Sequence, residues 1–161
     1  FKAALPIPAN LQLGVAYYPT AKWLVSAEAQ YVFWSAYDKL EMEFENPLLN
    51  TTQDKNFKNS FTYRVGTEYI MSPMVTARAG AIYDTTPVDK TLYTPETPGA
   101  NKVSLTAGVS IRAMSNLVID LACQYLMGER VNGSAPSQPT PFTGEYKSTA
   151  ILPSIGISLS L

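Results

Sequence analysis

The sequence lacks several residues and patterns on which common protein functions depend. It contains no histidine and one cysteine, Cys123, so Ser–His catalytic pairs, histidine metal sites and internal disulfide bonds are excluded. Its 12 basic and 13 acidic residues give no electrostatic basis for binding nucleic acid. It has no apolar run of the roughly 18 residues that a transmembrane helix needs. The composition therefore indicates no enzyme, no cofactor and no nucleic-acid partner.

What the sequence does contain is an alternation with a period of two residues. In residues 23–33 the odd positions are apolar or aromatic, whereas Ser26, Glu28 and Gln30 occupy even positions. Successive side chains of a β-strand point to opposite faces, so this period predicts a strand with one apolar and one mixed face. The pattern recurs with the same parity in about six other segments, and no segment has a comparable helical period. We predict an all-β chain.

The alternation divides the chain into seven strands joined by turns of two lengths. The predicted strands are residues 10–18, 23 to as far as 45, 60–71, 74–84, 102–113, 117–128 and 145–161. Long polar or proline-rich loops are predicted for residues 46–59, 85–101 and 132–144. In an up-and-down arrangement alternate turns fall at the same end, so one end has short turns and the other long loops.

This asymmetry fits a transmembrane β-barrel or a soluble β-sandwich, and two features favour the barrel. Trp23 and Phe33 are ten residues apart, which corresponds to about 33 Å along a strand. In a strand tilted by about 40° from the barrel axis, these two residues would be about 25 Å apart in height, which is the height of a barrel's lipid-facing band. The even face carries charge in its middle strands, which a sandwich core would bury at heavy cost but a water-filled lumen would not.

Even-numbered side chains are therefore predicted to face the lumen and to line a ligand path. The candidates are Glu28, Gln30, Trp34, Arg64, Glu68, Arg78, Arg112 and Asp120. Across the short turns, Glu68 is expected beside Arg78 and Asp120 near Arg112, each pair stabilising the sheet by about 0.2–1 kcal/mol. These polar residues either line a path for a ligand or simply form a solvated inner wall, and the sequence leaves both alternatives open. Trp34 either contacts a hydrophobic ligand or packs under a loop.

Two backbone features bear on the shape of this wall. Pro153 interrupts the last predicted strand, where it is expected to remove a hydrogen bond and to produce a kink or bulge. Glycines at even positions either leave room for a plug or an acyl chain or let the strands bend. These glycines are Gly14, Gly66, Gly80, Gly108, Gly128 and Gly156.

Four segments resemble the outer-membrane long-chain fatty-acid transporter family (the FadL type, including aromatic-hydrocarbon uptake channels). They are residues 5–17, 33–35, 63–69 and 79–88. The most specific is the last, in which Gly80, Tyr83, Asp84, Pro87 and Val88 match the family's Gly-x-x-Tyr/Phe-Asp-x-Ser/Thr-Pro-Val stretch. Order and spacing agree over essentially the whole chain.

The resemblance implies a Gram-negative outer-membrane barrel of about fourteen strands, closed by an N-terminal hatch, for passive uptake of fatty acids or small aromatics. Residues 1–161 correspond to the C-terminal portion of that single barrel domain, without the hatch and early strands. The implied partners are membrane lipid, a hydrophobic ligand, the remainder of the barrel and the barrel-assembly machinery. A surface adhesion barrel acting through its long loops is the alternative.

Overall fold

Seven long antiparallel strands form one sheet in a computed structural model that describes residues 1–3, 5–92, 99–135 and 142–160. The strands that build it are β2 (Asn10–Thr20), β3 (Trp23–Val32), β6 (Ser60–Ser72), β7 (Val75–Asp84), β8 (Lys102–Met114), β9 (Leu117–Gly128) and β12 (Thr149–Leu159). Their order in the sheet is their order in the chain. The predicted all-β, up-and-down arrangement is confirmed, with strand ends within about three residues of the prediction except where noted below.

Five short strands lie outside this sheet. They are β1 (Lys2–Ala3), β4 (Lys39–Glu43), β5 (Thr51–Asp54), β10 (Val131–Ala135) and β11 (Phe142–Tyr146). β1, β4 and β5 form a three-stranded sheet, and β10 pairs with β11. The helical segments are three-residue 3-10 turns, and no described helix is long and apolar enough to cross a membrane.

Unbroken pairing over most of the sheet keeps all even positions on one face. For example, Ser26 lies opposite Gly66, Gly66 opposite Gly80, and Gly80 opposite Thr106. We call the face with the even-numbered side chains the inner face and the opposite one the outer face. Register shifts occur only next to the short turns, so they leave the parity of the strand centres unchanged.

The outer face is apolar and uncovered. Leu13, Val65 and Ile155 are 69, 57 and 71% exposed, and Val65 lies in a central strand, so its exposure is not an edge effect. Among the described residues, the buried apolar side chains are Tyr37 and the Ala100–Val131 cluster, all outside the seven strands. The sheet therefore has no apolar core of its own, unlike a sandwich, in which two inner faces interdigitate.

Aromatic side chains gather on the outer face toward the long-loop end. The ring of Tyr31 lies 4.6 Å from that of Phe61 and 4.8 Å from that of Phe33, and Phe61 stacks on Tyr63 at 5.7 Å. At the short-turn end, Trp23 Nε1 donates a hydrogen bond to Thr67 Oγ1 at 2.8 Å. An apolar band with aromatic residues toward both ends is typical of a barrel wall in a membrane.

The predicted continuation of the second strand to residue 45 is wrong. β3 ends at Val32, a 3-10 turn follows at Trp34–Ala36, and β4 pairs with β5 and β1 instead of the main sheet. The chain turns here because Tyr37, only 7% exposed, packs edge-on against Phe57 at 5.0 Å. The alternation in residues 39–45 is real, but it belongs to a local hairpin.

The third predicted loop and the start of the last strand also differ. Instead of an irregular loop, its described residues form the β10–β11 hairpin, and β12 begins at Thr149 instead of residue 145. Glu145 lies in β11, opposite Asn132. Residues 136–141, part of the predicted loop 85–101 (residues 93–98) and Leu161 lie outside the described residues.

Pro153 does not interrupt the pairing of β12 with β9. Gly128 N donates to Ser148 O at 2.8 Å and Ser160 N to Asn116 O at 2.9 Å, so even positions of β12 form the hydrogen-bonded pairs and Pro153 falls at a non-bonded position opposite Cys123. The register runs unshifted along β12. The expected lost bond and bulge against β9 are therefore wrong, and the missing N–H faces the free edge of β12.

Gly66 and Gly80 form a directly opposed pair at the centre of the inner face. A Cβ atom added to Gly80 would lie 2.9 Å from the carbonyl oxygen of Val65 and 2.9 Å from Thr106 Oγ1. The backbone oxygen cannot withdraw without disturbing the strand, so this position requires glycine.

We expect Gly80→Ala to destabilise the full-length protein by about 1–3 kcal/mol, since the added methyl group overpacks the sheet. The matched control is Gly156→Ala, where the nearest atom to the new Cβ would be Asp120 Cβ at 3.5 Å, an ordinary contact. Urea unfolding in detergent micelles, followed by circular dichroism, measures both. Equal midpoints for the two variants would contradict the steric argument.

An ion pair joins two loops at the long-loop end. Lys58 Nζ lies 2.7 Å from Asp89 Oδ2, and Lys58 N donates to Pro87 O at 2.8 Å. The Lys58 hydrogen bond, then those from the backbone and hydroxyl of Thr91, hold the pKa of Asp89 well below its usual value. A carboxylate whose pKa is lowered by folding stabilises the folded loop at any pH above its pKa in the unfolded chain. This stabilisation is lost as the pH falls through its lower pKa in the folded protein.

Acidification from pH 7 to pH 4.5 is therefore expected to leave this contact intact, because Asp89 stays ionised throughout. Asp89→Asn, by contrast, is expected to speed hydrogen exchange at the Lys58 and Thr91 amides at both pH values, after correction for intrinsic rates. Exchange followed by mass spectrometry on the full-length protein measures this. Release of the wild-type loop between pH 7 and 4.5 would show that the pKa of Asp89 is raised instead of lowered, because even an ordinary aspartate stays largely ionised in that range.

Candidate functional site on the inner face

The inner face carries two clusters of paired charges. In the first, Arg64 Nη1 donates to Glu28, the residue directly opposite on β3. Both Nη atoms of Arg64 also donate to Gln30 Oε1 at 3.0 Å. The guanidinium thus bridges two side chains two residues apart on the neighbouring strand, which its planar fork allows.

The second cluster crosses four strands. Arg78 Nε donates to Glu68 Oε2 at 2.6 Å, and Glu68 lies directly opposite, as predicted. Arg78 Nη1 donates to Ser110 Oγ, which in turn donates to Asp120 Oδ1. Arg78 Nη1 also lies 3.9 Å from that Asp120 oxygen. Ser110 completes the connection, and it is not among the residues that the sequence predicts for the ligand path. Its even position in β8 does predict that its side chain lies on the inner face.

Asp120 and Arg112 line the same small cavity, but they form no ion pair with each other. Asp120 lies opposite Ser110, whereas Arg112 lies opposite Val118. The shift in register lies between these pairs and the turn, and the two charges are offset by two residues along the strands. Asp120 is instead connected to Arg78 through Ser110.

Trp34 does not lie on the inner face of a strand. It begins the 3-10 turn after β3, and its ring packs 5.9 Å from that of Phe57, beside Tyr37. Parity does not apply to a residue outside a strand, so the reason for placing Trp34 in the ligand path is lost. The observed contact is the alternative of packing beneath a loop.

Between the two charged clusters the inner face carries small residues, with Ser26 and Thr106 in the same row as Gly66 and Gly80. A groove of about 760 Å³ extends across six strands here, which shows that the sheet curves around it. Residues with a hydrogen or methyl side chain form much of its floor: Gly14, Ala16, Gly66, Gly80, Gly108 and Ala122. Glu28 and Arg64 border one side, and Glu68, Arg78 and Asp120 the other. Five of the seven predicted inner-face residues that lie in strands therefore border this groove. A sixth, Gln30, accepts hydrogen bonds from Arg64, which is one of those five.

The carboxylates of the inner face are engaged by arginines, and no group of three or more metal-ligating side chains occurs in the described parts of the chain. What the geometry offers is a smooth surface with polar margins. Such a surface can hold an apolar molecule without displacing any side chain.

A family model described as outer membrane protein transport protein (OMPP1/FadL/TodX) matches residues 2–160. Outer membrane protein P1 of Haemophilus influenzae is 25% identical over 163 residues, covering 97% of this chain and 35% of that protein. The long-chain fatty acid transport protein of Escherichia coli O6:H1 is 24% identical over 110 residues, covering 68% of this chain and 25% of that protein.

Solved structures show the same fold. A Pseudomonas aeruginosa FadL homologue superposes with a TM-score of 0.83 at 24% identity, over 98% of this chain and 36% of its own. The Ralstonia pickettii toluene transporter TbuX gives a TM-score of 0.60 at 22% identity, over 95% of this chain and 33% of its own. The chain therefore spans between a quarter and about a third of these relatives.

The family match covers nearly all of the chain, the relatives are outer-membrane proteins, and the sheet has the exposed apolar face that lipid requires. The prediction from residues 79–88 and the other matching segments is confirmed. The chain belongs to the outer membrane protein transport protein family (OMPP1/FadL/TodX), and its seven-stranded sheet is a stretch of a transmembrane β-barrel wall in the bacterial outer membrane.

Proposed function

We propose that the full-length protein is a channel for passive uptake of hydrophobic molecules, either long-chain fatty acids or small aromatics. The groove on the inner face is the observation that carries this proposal, because a floor of glycine and alanine between charged margins suits an apolar ligand. The names of two relatives, one a fatty acid transporter and one a toluene transporter, support the same two classes of ligand.

We further propose that residues 1–161 form the C-terminal portion of one barrel domain whose other strands pair with β2 and β12. The described sheet has seven strands and two unpaired edges, and in a membrane every backbone polar group needs a partner within the protein. A hatch and the barrel-assembly machinery are further partners proposed from the family resemblance.

Adhesion through the loops is the second candidate function. It is favoured by the secondary structure of the long loops, which contain the β10–β11 hairpin and the paired strands β4 and β5, with β4 also pairing with β1 from the start of the chain. Paired strands in a loop present a defined surface to a partner, whereas a simple pore needs none. The two functions make different demands on the inner face.

Uptake is tested with the full-length protein reconstituted in liposomes and supplied with oleate or toluene. We expect at least one of them to enter several-fold faster than into empty liposomes, because the groove offers an apolar route through the wall's interior. Rates equal to those of empty liposomes, together with loop deletions that abolish binding to a surface partner, would replace transport by adhesion.

Filling the groove is expected to block transport. Ala122→Trp places a large ring on the groove floor, and we expect it to reduce uptake several-fold because the ring occupies the volume that a ligand would fill. Leu121→Trp is the matched control, since Leu121 is the neighbouring residue on the outer face. Heat-modifiability on gels shows whether both variants are folded. If both are folded and take up ligand equally, the ligand path does not run along this wall.

A further inference from the structure

We propose that Arg112 is a specificity-determining residue that receives the anionic head group of an amphipathic molecule whose tail lies in the groove. This inference rests on the proposed uptake function and assigns it a preference for long-chain carboxylates over neutral molecules with the same tail. Arg112 lies on the inner face near the short-turn end of β8, beyond the two charged clusters.

The first argument is the difference between Arg112 and the other inner-face arginines. Arg64 and Arg78 are each paired with a carboxylate. The Arg112 guanidinium is exposed and makes no hydrogen bond or ion pair with any described residue. A carboxylate that approached Arg64 or Arg78 would have to displace Glu28 or Glu68, whereas Arg112 has all five donors free.

The second argument is a cavity that connects this arginine with the groove. A polar cavity of about 320 Å³ is lined by Pro73, Met74, Thr76, Arg78, Ser110, Arg112, Val118, Asp120 and Ser158. Arg78 and Asp120 also line the larger groove, so the two cavities adjoin at these residues. An apolar compartment therefore leads directly to a smaller one that holds an unpaired cation and several hydroxyl groups.

The third argument is the distance between the compartments. Gly108, on the groove floor, and Arg112 are four residues apart on β8, which corresponds to about 14 Å along a strand. A long-chain carboxylate in extended form can bridge that distance with its tail on the glycines and its head at Arg112. A molecule as short as toluene cannot occupy both places at once.

The chemistry of a guanidinium and a carboxylate fits this assignment to Arg112. A guanidinium presents a planar fork of donors that matches a carboxylate in a bidentate arrangement. Asp120, which lines the same cavity, is already bonded to Ser110 and lies beside Arg78, so it forms no ion pair with Arg112. At this end of the wall the bound anion would gain its contacts without breaking any that the protein already has.

The test compares oleate with oleyl alcohol, which has the same tail and no charge, delivered to liposomes that contain the full-length protein. We expect Arg112→Gln to reduce the oleate rate about three- to tenfold, the effect of one charge-assisted hydrogen bond weakened by solvent, and to leave the alcohol rate within about twofold. Arg112→Lys is expected to recover part of the oleate rate. The matched control is Arg130→Gln, the same charge change at an exposed arginine outside the seven strands.

Each outcome decides between the claims. If Arg112→Gln transports oleate as Arg130→Gln does, the role of Arg112 is wrong while uptake stands. If the Arg112→Gln variant is shown by heat-modifiability to be folded and loses oleate and alcohol transport equally, Arg112 does not recognise the charge of the head group and the inference also fails. If the wild-type protein transports neither compound faster than empty liposomes, the proposed function itself has failed.

Discussion

Backbone hydrogen bonding between neighbouring strands keeps seven strands in one unbroken register, and the two faces of the wall depend on it. Because side chains alternate strictly along a strand, a slip of one residue would carry every charge to the outer face. Lipid tolerates no such charge at mid-height without a cost of several kcal/mol. The register shifts observed lie beside the short turns, where they change no side chain in the middle of the wall.

The inner face combines neutralised charge with missing side chains. Arg64 and Arg78 each satisfy a carboxylate on a neighbouring strand, so the polar margins of the groove are held in place by the protein itself. The opposed pair Gly66 and Gly80 leaves the floor flat, and the close approach of the Val65 carbonyl means that Gly80 serves the backbone as well as the groove. The two explanations of the even-numbered glycines, space and backbone geometry, thus apply together at this position.

The loops were the part that the sequence described least well. Residues 39–45 alternate as clearly as a wall strand, yet they pair with Thr51–Asp54 in a separate sheet. Alternation reports that a segment is amphipathic and extended, but it contains no information about which strand it pairs with. The packing of Tyr37 on Phe57, a contact between residues distant in sequence, ends β3 and redirects the chain. Trp34 was assigned to the inner face for the same reason and lies in the turn instead.

The sequence by itself determined the number of wall strands, the sense of each face and the family, because a period of two and a short motif are local properties of the chain. It also paired Glu68 with Arg78, since a short turn fixes which positions face each other. Only the tertiary structure decided that Asp120 reaches Arg78 through Ser110 and leaves Arg112 unpaired. Such contacts depend on stagger across several strands and on side-chain reach, and neither is encoded in any single segment.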